Sequence, residues 1–119
     1  MMPESVPFLV DESHVGAVAV SGEVDMDTAP EMQRILRHAV DDGRTDLIVD
    51  MTECGFIDCT GLGVLVGVAN MSRSRGGSIT LRAPGRRVVL VRDLAGLHDV
   101  LPTEALERAG PEASVAGRP

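Results

Sequence analysis

Phe56-Ile57-Asp58-Cys59-Thr60-Gly61-Leu62-Gly63 joins a strand to a helix. Ahead of it stands a continuous apolar run, Leu47-Ile48-Val49. Behind it Leu62, Leu65, Val66 and Ala69 recur on one helical face. Thr52 to Cys59 therefore reads as a loop, and the helix is expected to start near Thr60. Loops at the carboxyl ends of parallel strands are where α/β sheets place their ligand and reaction sites. Thr60 falls where the first amides of a helix lack intrahelical acceptors and the dipole is positive, a setting that tolerates an added phosphate. Gly61 and Gly63 are expected to leave the backbone uncovered for the approach of a partner's backbone or a nucleotide, although Gly-x-Gly alone is a weak nucleotide signal. The plainer reading of the same residues is an N-cap at Asp58 or Thr60 with glycines that only shape the turn.

Working outward, Phe8 and Val10, then Val15, Ala17, Val18 and Val20, suggest two antiparallel strands around a polar hairpin turn, Asp11 to His14. Thr28 and Glu31 have capping-box spacing, Pro30 suits a first helical turn, and Met32, Ile35, Leu36, Ala39 and Val40 follow with helical period. Gly43 is placed to end that helix in a left-handed conformation. Strand, helix and apolar strand make a crossover unit, so the Leu47 strand is expected to run parallel to its neighbour. Downstream, Ser78 to Arg82 alternates as a strand, and Val88, Val91 and Leu94 suggest a third short helix closed by Gly96. Asp99-Val100-Leu101 reads as a further short strand and Glu104 to Arg108 as a last helical turn. The pattern predicts an α/β fold: a small mixed sheet of about four core strands, with helices covering one face. One domain spans residues 7–108, and 109–119 has the composition of a disordered tail.

Composition narrows the function. The chain has 119 residues, 44% hydrophobic and 24% charged, which suits one globular domain without disulfide staples. Eleven basic against eighteen acidic residues leave a formal charge of −7, which argues against direct nucleic-acid binding. With no Trp or Tyr and two Phe, stacking platforms for single strands are missing too. All eleven basic residues are Arg, so neither a Schiff-base nor a P-loop lysine exists. No apolar stretch approaches the ~18 residues of a membrane span, and no leader pattern opens the chain, so a cytoplasmic protein without membrane insertion is expected.

Candidate chemistry is sparse. His14, His38 and His98 have no metal-ligand spacing, and no metal or cofactor is expected. Cys54 and Cys59 read as small apolar residues without an activating neighbour, although a small enzyme using Cys59 or the acidic cluster is a competing reading. That cluster is Glu23, Asp25 and Asp27, at the end of the second expected strand, where strand order brings it beside Thr60. A carboxylate there could accept a hydrogen bond from the threonine hydroxyl, or the cluster is a solvated turn.

Gly22-Glu23-Val24-Asp25, the capped helix from Thr28, Leu47-Ile48-Val49-Asp50, the Phe56 to Gly63 stretch and Asp93-Leu94-Ala95-Gly96-Leu97 together resemble the STAS domain, in particular the stand-alone bacterial anti-sigma factor antagonists. The resemblance implies a partner switch. The unphosphorylated antagonist binds an anti-sigma factor that is also a serine/threonine kinase, and a sigma factor is released. Phosphorylation of the hydroxyl residue before Gly-Leu-Gly, here Thr60, breaks the complex, and a phosphatase restores it. Asp25 matches the family's acidic residue beside that site, and Asp58, Cys59, Thr60, Gly61, Leu62 and Gly63 complete the implied partner surface. The chain departs from the common pattern in carrying Thr60 where most such antagonists have Ser, and Cys59 where another small residue is frequent. The alternative within the family is an accessory subunit of a membrane transport complex, which often lacks the phosphorylatable hydroxyl.

Overall fold

In the computed structural model, which describes residues 15–105 and 113–118, a parallel sheet is built around one long strand. The elements are β1 (Val15–Val24), α1 (Ala29–Asp41), β2 (Asp46–Asp50), β3 (Cys54–Ile57), α2 (Cys59–Ser74), β4 (Ser78–Arg82), α3 (Arg86–Leu94), β5 (Thr103–Glu104) and β6 (Ala113–Ala116). β1 pairs in parallel with β2 through residues 15–19, with β3 through 22–24 and with β6 through 18–21. β2 pairs with β4 and β4 with β5, again in parallel. Val18 and Ala19 pair with both β2 and β6, which therefore flank β1 on opposite edges.

Alternation along the strands decides the core. Val18 and Val20 of β1, Leu47 and Val49 of β2, and Ile79 and Leu81 of β4 are all buried, whereas Ile48 and Thr80 are half-buried. The first set faces α1 and α2, which pack on each other and on the sheet. α1 contributes Met32, Ile35, Leu36, Ala39 and Val40; α2 contributes Leu62, Leu65, Val68 and Ala69. Each large aliphatic side chain removed from water in this way stabilises the fold by about 1.5–3 kcal/mol. The helices thus cover one face, as the patterning predicts.

Several local expectations are corrected. The segment read as a loop, Thr52 to Cys59, contains β3. The chain steps away from β1 after Asp50, where the Asp50 carboxylate caps Thr52, and returns to β1 through the Gly22 N–H bond to the Glu53 carbonyl. Four residues with an exposed glycine in the middle carry too little pattern to announce a strand. Asp99 to Leu101 is a turn closed by the Leu101 N–H on the Leu97 carbonyl, and the strand lies beyond it at β5. Glu104 belongs to that strand and not to a helical turn; its side chain pairs with the buried Arg82 at 3.1 Å. Residues 106–108 and the expected first strand and hairpin turn (residues 8–14) lie outside the described residues. Of the segment read as a disordered tail, Ala113–Ala116 forms β6, with Val115 buried against the core. In α3 the buried side chains are Val88 and Arg92, while Leu94 is exposed, because Arg92 turns inward to donate to the Leu101 carbonyl at 2.8 Å.

The capping box expected at α1 is not formed. Thr28 adopts a helical conformation and its hydroxyl accepts from the Asp25 N–H at 2.9 Å, while Glu31 pairs with Arg34. No side chain caps α1; the Asp25 carboxylate instead closes the turn ahead of it, accepting from the N–H groups of Asp27 and Thr28, while the Asp25 backbone carbonyl accepts from the Ala29 N–H at 2.8 Å. Gly43 ends α1 at φ +97° and Gly96 follows α3 at φ +73°, both as expected.

Candidate functional site

The site lies where β1 and β3 end side by side. Val24 and Ile57 are register partners, and the Asp58 N–H donates to the Val24 carbonyl at 3.1 Å. That bond places the loop after β1, with Asp25 and Asp27, next to the start of α2. The expected adjacency of the acidic loop and the Thr60 segment is therefore met by the strand register.

Asp58 is the N-cap of α2. Its backbone is extended, its Oδ1 accepts from the Gly61 N–H at 3.0 Å, and its carbonyl accepts from the Leu62 N–H at 2.9 Å. Cys59 and Thr60 are the first two helical residues and both are exposed. The Thr60 hydroxyl makes no hydrogen bond among the described residues. It stands at the positive end of a sixteen-residue helix, open to solvent.

The two glycines after Thr60 do different work. Gly61 is buried: a Cβ there would meet Ile57 Cγ1 at 2.5 Å and Val24 Cγ1 at 2.8 Å. It lets the helix lie close against β1 and β3, which corrects the expectation of an uncovered backbone at this position. Gly63 is exposed, with open space where its Cβ would be, and so is Gly67 one turn on. Thr60, Gly63 and Gly67 follow at i, i+3 and i+7 and so share a face of α2. Leu62, expected at the partner surface, is instead in the core. Helical geometry forces this, since position 62 points toward the sheet along with 65 and 69.

Asp25 does not orient the Thr60 hydroxyl. Besides closing the turn before α1, its Oδ2 accepts from Arg118 Nε at 2.9 Å, and Arg118 Nη2 donates to Asp27 Oδ2 at 2.6 Å. The Arg118 hydrogen bond, with the amides of Asp27 and Thr28, draws the Asp25 carboxyl down to about 2. Such a carboxylate is a poor proton acceptor near neutral pH. Sequence reasoning missed Arg118, because its partner lies ninety residues away and no pattern links them.

It also missed the flank contributed by α3. The Arg87 guanidinium lies 5.2 Å from the ring centroid of Phe56 on β3. Arg87 then opens onto a shallow groove of about 640 Å³ lined by Pro84, Arg86, Arg87, Val89, Leu90 and Asp93. Leu90 and, within the acidic loop, Met26 are large apolar side chains that remain exposed. Cys54 is buried, and burial pushes its thiol up, whereas Cys59 is exposed. Among the described residues no three His, Cys, Asp or Glu side chains are grouped to hold a metal ion, and no helix is long and apolar enough to cross a membrane.

The sequence matches the STAS domain family over residues 9–109. Among characterised relatives, an anti-sigma-B factor antagonist of Bacillus subtilis is 32% identical over 93 residues, covering 78% of this chain and 84% of the relative. A protein of the same name from Listeria monocytogenes is 33% identical over 98 residues, covering 82% and 84%. Among solved structures, the anti-sigma factor antagonist SpoIIAA in its unphosphorylated form superposes with a TM-score of 0.69 at 20% identity, covering 85% of this chain and 86% of that one. Its phosphorylated form superposes at 0.64 and 18% identity, covering 85% and 89%.

Proposed function

The chain belongs to the STAS domain family, and from that premise we propose that it is an anti-sigma factor antagonist switched by phosphorylation of Thr60. The observation that carries the site assignment is the Thr60 hydroxyl: exposed, without a hydrogen bond, and held at the start of α2 by a cap that leaves it outside. The unphosphorylated chain binds an anti-sigma factor with serine/threonine kinase activity. The contact surface is the outward face of α2, Cys59, Thr60 and Gly63, with Asp58 and the Asp25 loop beside it. Gly63 and Gly67 give a partner's backbone room to approach.

In the transfer step Thr60 Oγ attacks the γ-phosphorus of ATP held by the kinase. The Oγ–P bond forms, the bond from that phosphorus to the β–γ bridging oxygen breaks, and ADP leaves. The hydroxyl proton passes to a base of the kinase. Of the two nearby carboxylates among the described residues, Asp58 accepts from the Gly61 N–H and Asp25 from Arg118. The chain is the substrate of the transfer and not its catalyst, and it works in the cytoplasm, where its partners act.

The phosphate brings about −1.5 to −2 charges at pH 7. In the free protein water and the α2 amides accommodate it. In the complex the same group would be buried between two surfaces beside Asp58, and an unpaired buried charge costs several kcal/mol. Every 1.4 kcal/mol is tenfold in affinity, so one phosphate separates the partners while the fold persists. A phosphatase that removes it resets the switch.

Incubation with the anti-sigma factor kinases of the source organism, ATP and magnesium, followed by mass spectrometry, tests the assignment. Thr60 is expected as the phosphoacceptor; a phosphopeptide at Ser21, Ser72 or Ser74 with Thr60 unmodified would refute it. Calorimetry should find Thr60→Ala bound as tightly as the native chain and Thr60→Glu bound at least tenfold more weakly. Equal affinities for all three would remove Thr60 from the interface.

A further inference from the structure

The acidic loop beside Thr60 is already occupied by the protein's own chain. Gly117 and Arg118 follow β6 along the edge of β1 that lies opposite β3. The Glu23 N–H donates to the Arg118 carbonyl at 2.6 Å, and the Arg118 N–H donates to the Glu23 carbonyl at 2.8 Å. The Gly117 N–H donates to the Ser21 carbonyl. Two glycines make this approach feasible. Gly22 sits at φ +78°, and a Cβ there would meet the Arg118 carbonyl oxygen at 2.5 Å; a Cβ on Gly117 would collide with the Glu23 carbonyl. The backbone thus delivers the Arg118 guanidinium to Asp25 and Asp27 together, as a two-carboxylate clasp.

The clasp differs from the strand that carries it. Val115 of β6 is only 2% exposed and anchors the segment in the core. The Arg118 side chain is 45% exposed and that of Asp27 72% exposed, so water reaches the ion pair from outside. A guanidinium so placed can leave the carboxylates while β6 stays paired.

We propose that Arg118 is an internal competitor for the acidic loop, one that a cationic group of the anti-sigma factor, an arginine above all, must displace for the complex to form. The proposal rests on the partner reading above and adds a regulatory contact to that surface. Asp25 and Asp27 present two carboxylates to a planar fork, the geometry an arginine satisfies best. A partner arginine arriving at the same loop meets them already paired. Exposed ion pairs are individually weak, so the competitor lowers apparent affinity by a modest factor, about threefold to tenfold. It also shields an acidic patch on an acidic chain from chance cations.

The test has two arms. In the first, the native chain and Arg118→Ala, labelled with carbon-13 at their aspartate carboxyls, are titrated with N-acetyl-arginine amide at low salt. Asp25 and Asp27 of the variant should half-saturate at about threefold to tenfold lower probe concentration than those of the native chain. Identical responses would overturn the proposal. In the second, the kinase that phosphorylates Thr60 is titrated with both chains, and Arg118→Ala should bind it about threefold to tenfold more tightly. Equal or weaker binding to the variant would overturn the competitor role. The first arm needs no kinase. If the probe separates the two chains while no anti-sigma factor kinase binds either, the internal contact is upheld and the partner reading is what has failed.

Discussion

Replacing Gly61 and Gly63 by alanine, one at a time, is expected to move stability in opposite directions although both lie in the first half of α2. Alanine gains at most about 1 kcal/mol over glycine within a helix, because glycine loses more backbone freedom on folding. At Gly63 nothing opposes that gain, since the new methyl enters open space. At Gly61 the methyl would meet Ile57 Cγ1 at 2.5 Å, Val24 Cγ1 at 2.8 Å and Ile57 Cδ1 at 2.9 Å. Ile57 and Val24 are both 0% exposed and β-branched, so neither can rotate away. Overpacking of this kind costs about 1–3 kcal/mol, and contacts this short put it at the upper end. The net expectation is about 2 kcal/mol lost for Gly61→Ala and about 1 kcal/mol gained for Gly63→Ala. With a urea m-value of about 1.5 kcal/mol/M, the unfolding midpoint falls by about 1.3 M in the first and rises by about 0.7 M in the second. Equilibrium urea unfolding followed by circular dichroism reads both. A Gly61→Ala chain as stable as the native one would show that α2 is not held against β1 and β3 by this close approach. A destabilised Gly63→Ala chain would show that the face carrying Thr60 is not open.

Asp58→Ala removes the acceptor of the Gly61 N–H and should cost about 1 kcal/mol, whereas Asp58→Asn, also a good cap, should cost little; equal losses in thermal unfolding would refute the capping role. The Asp25 carboxyl titrates at about 2 in place of its ordinary 3.8, first because Arg118 hydrogen-bonds it, so its contribution to stability is complete above about pH 4 and is lost as pH falls toward 2. Arg118→Ala should return the carbon-13 titration of Asp25 toward 3.8, and a midpoint still near 2 would show that the amides of Asp27 and Thr28 hold it alone. With a thiol reagent such as Ellman's, Cys59 should react in the native chain and Cys54 only in denaturant, because Cys54 is buried and its thiol is pushed up. Two rapidly reacting thiols in the native state would contradict the burial of Cys54.

Elements with long, regular pattern were legible in the sequence. α1 shows an apolar residue at each inward position, and β2 and β4 show short runs bounded by turn residues. The Asp58 to Gly63 stretch could be placed at a helix start because capping and glycine chemistry are local. β3, β5 and β6 were not legible. They are two to four residues long, and each exists because a neighbouring strand offers unpaired backbone groups. The start of α1 was misread for a related reason: Thr28 and Glu31 have the right spacing, yet the Thr28 N–H is taken by Asp25 and Glu31 pairs with Arg34.

The amino-acid sequence by itself determined the α/β class, the helix that begins with Cys59 and Thr60, and the family, because these rest on local periodicity, on caps and on a contiguous motif. Which motif residues face a partner was decided only in three dimensions. Gly61 and Leu62 turn inward and Thr60 and Gly63 outward, and that depends on the direction from which the sheet meets the helix. The state of Asp25 was decided there as well. A carboxylate's charge environment is the sum of groups brought within a few ångströms, and the nearest cation, Arg118, arrives from the far end of the described chain through the pairing of β6 with β1.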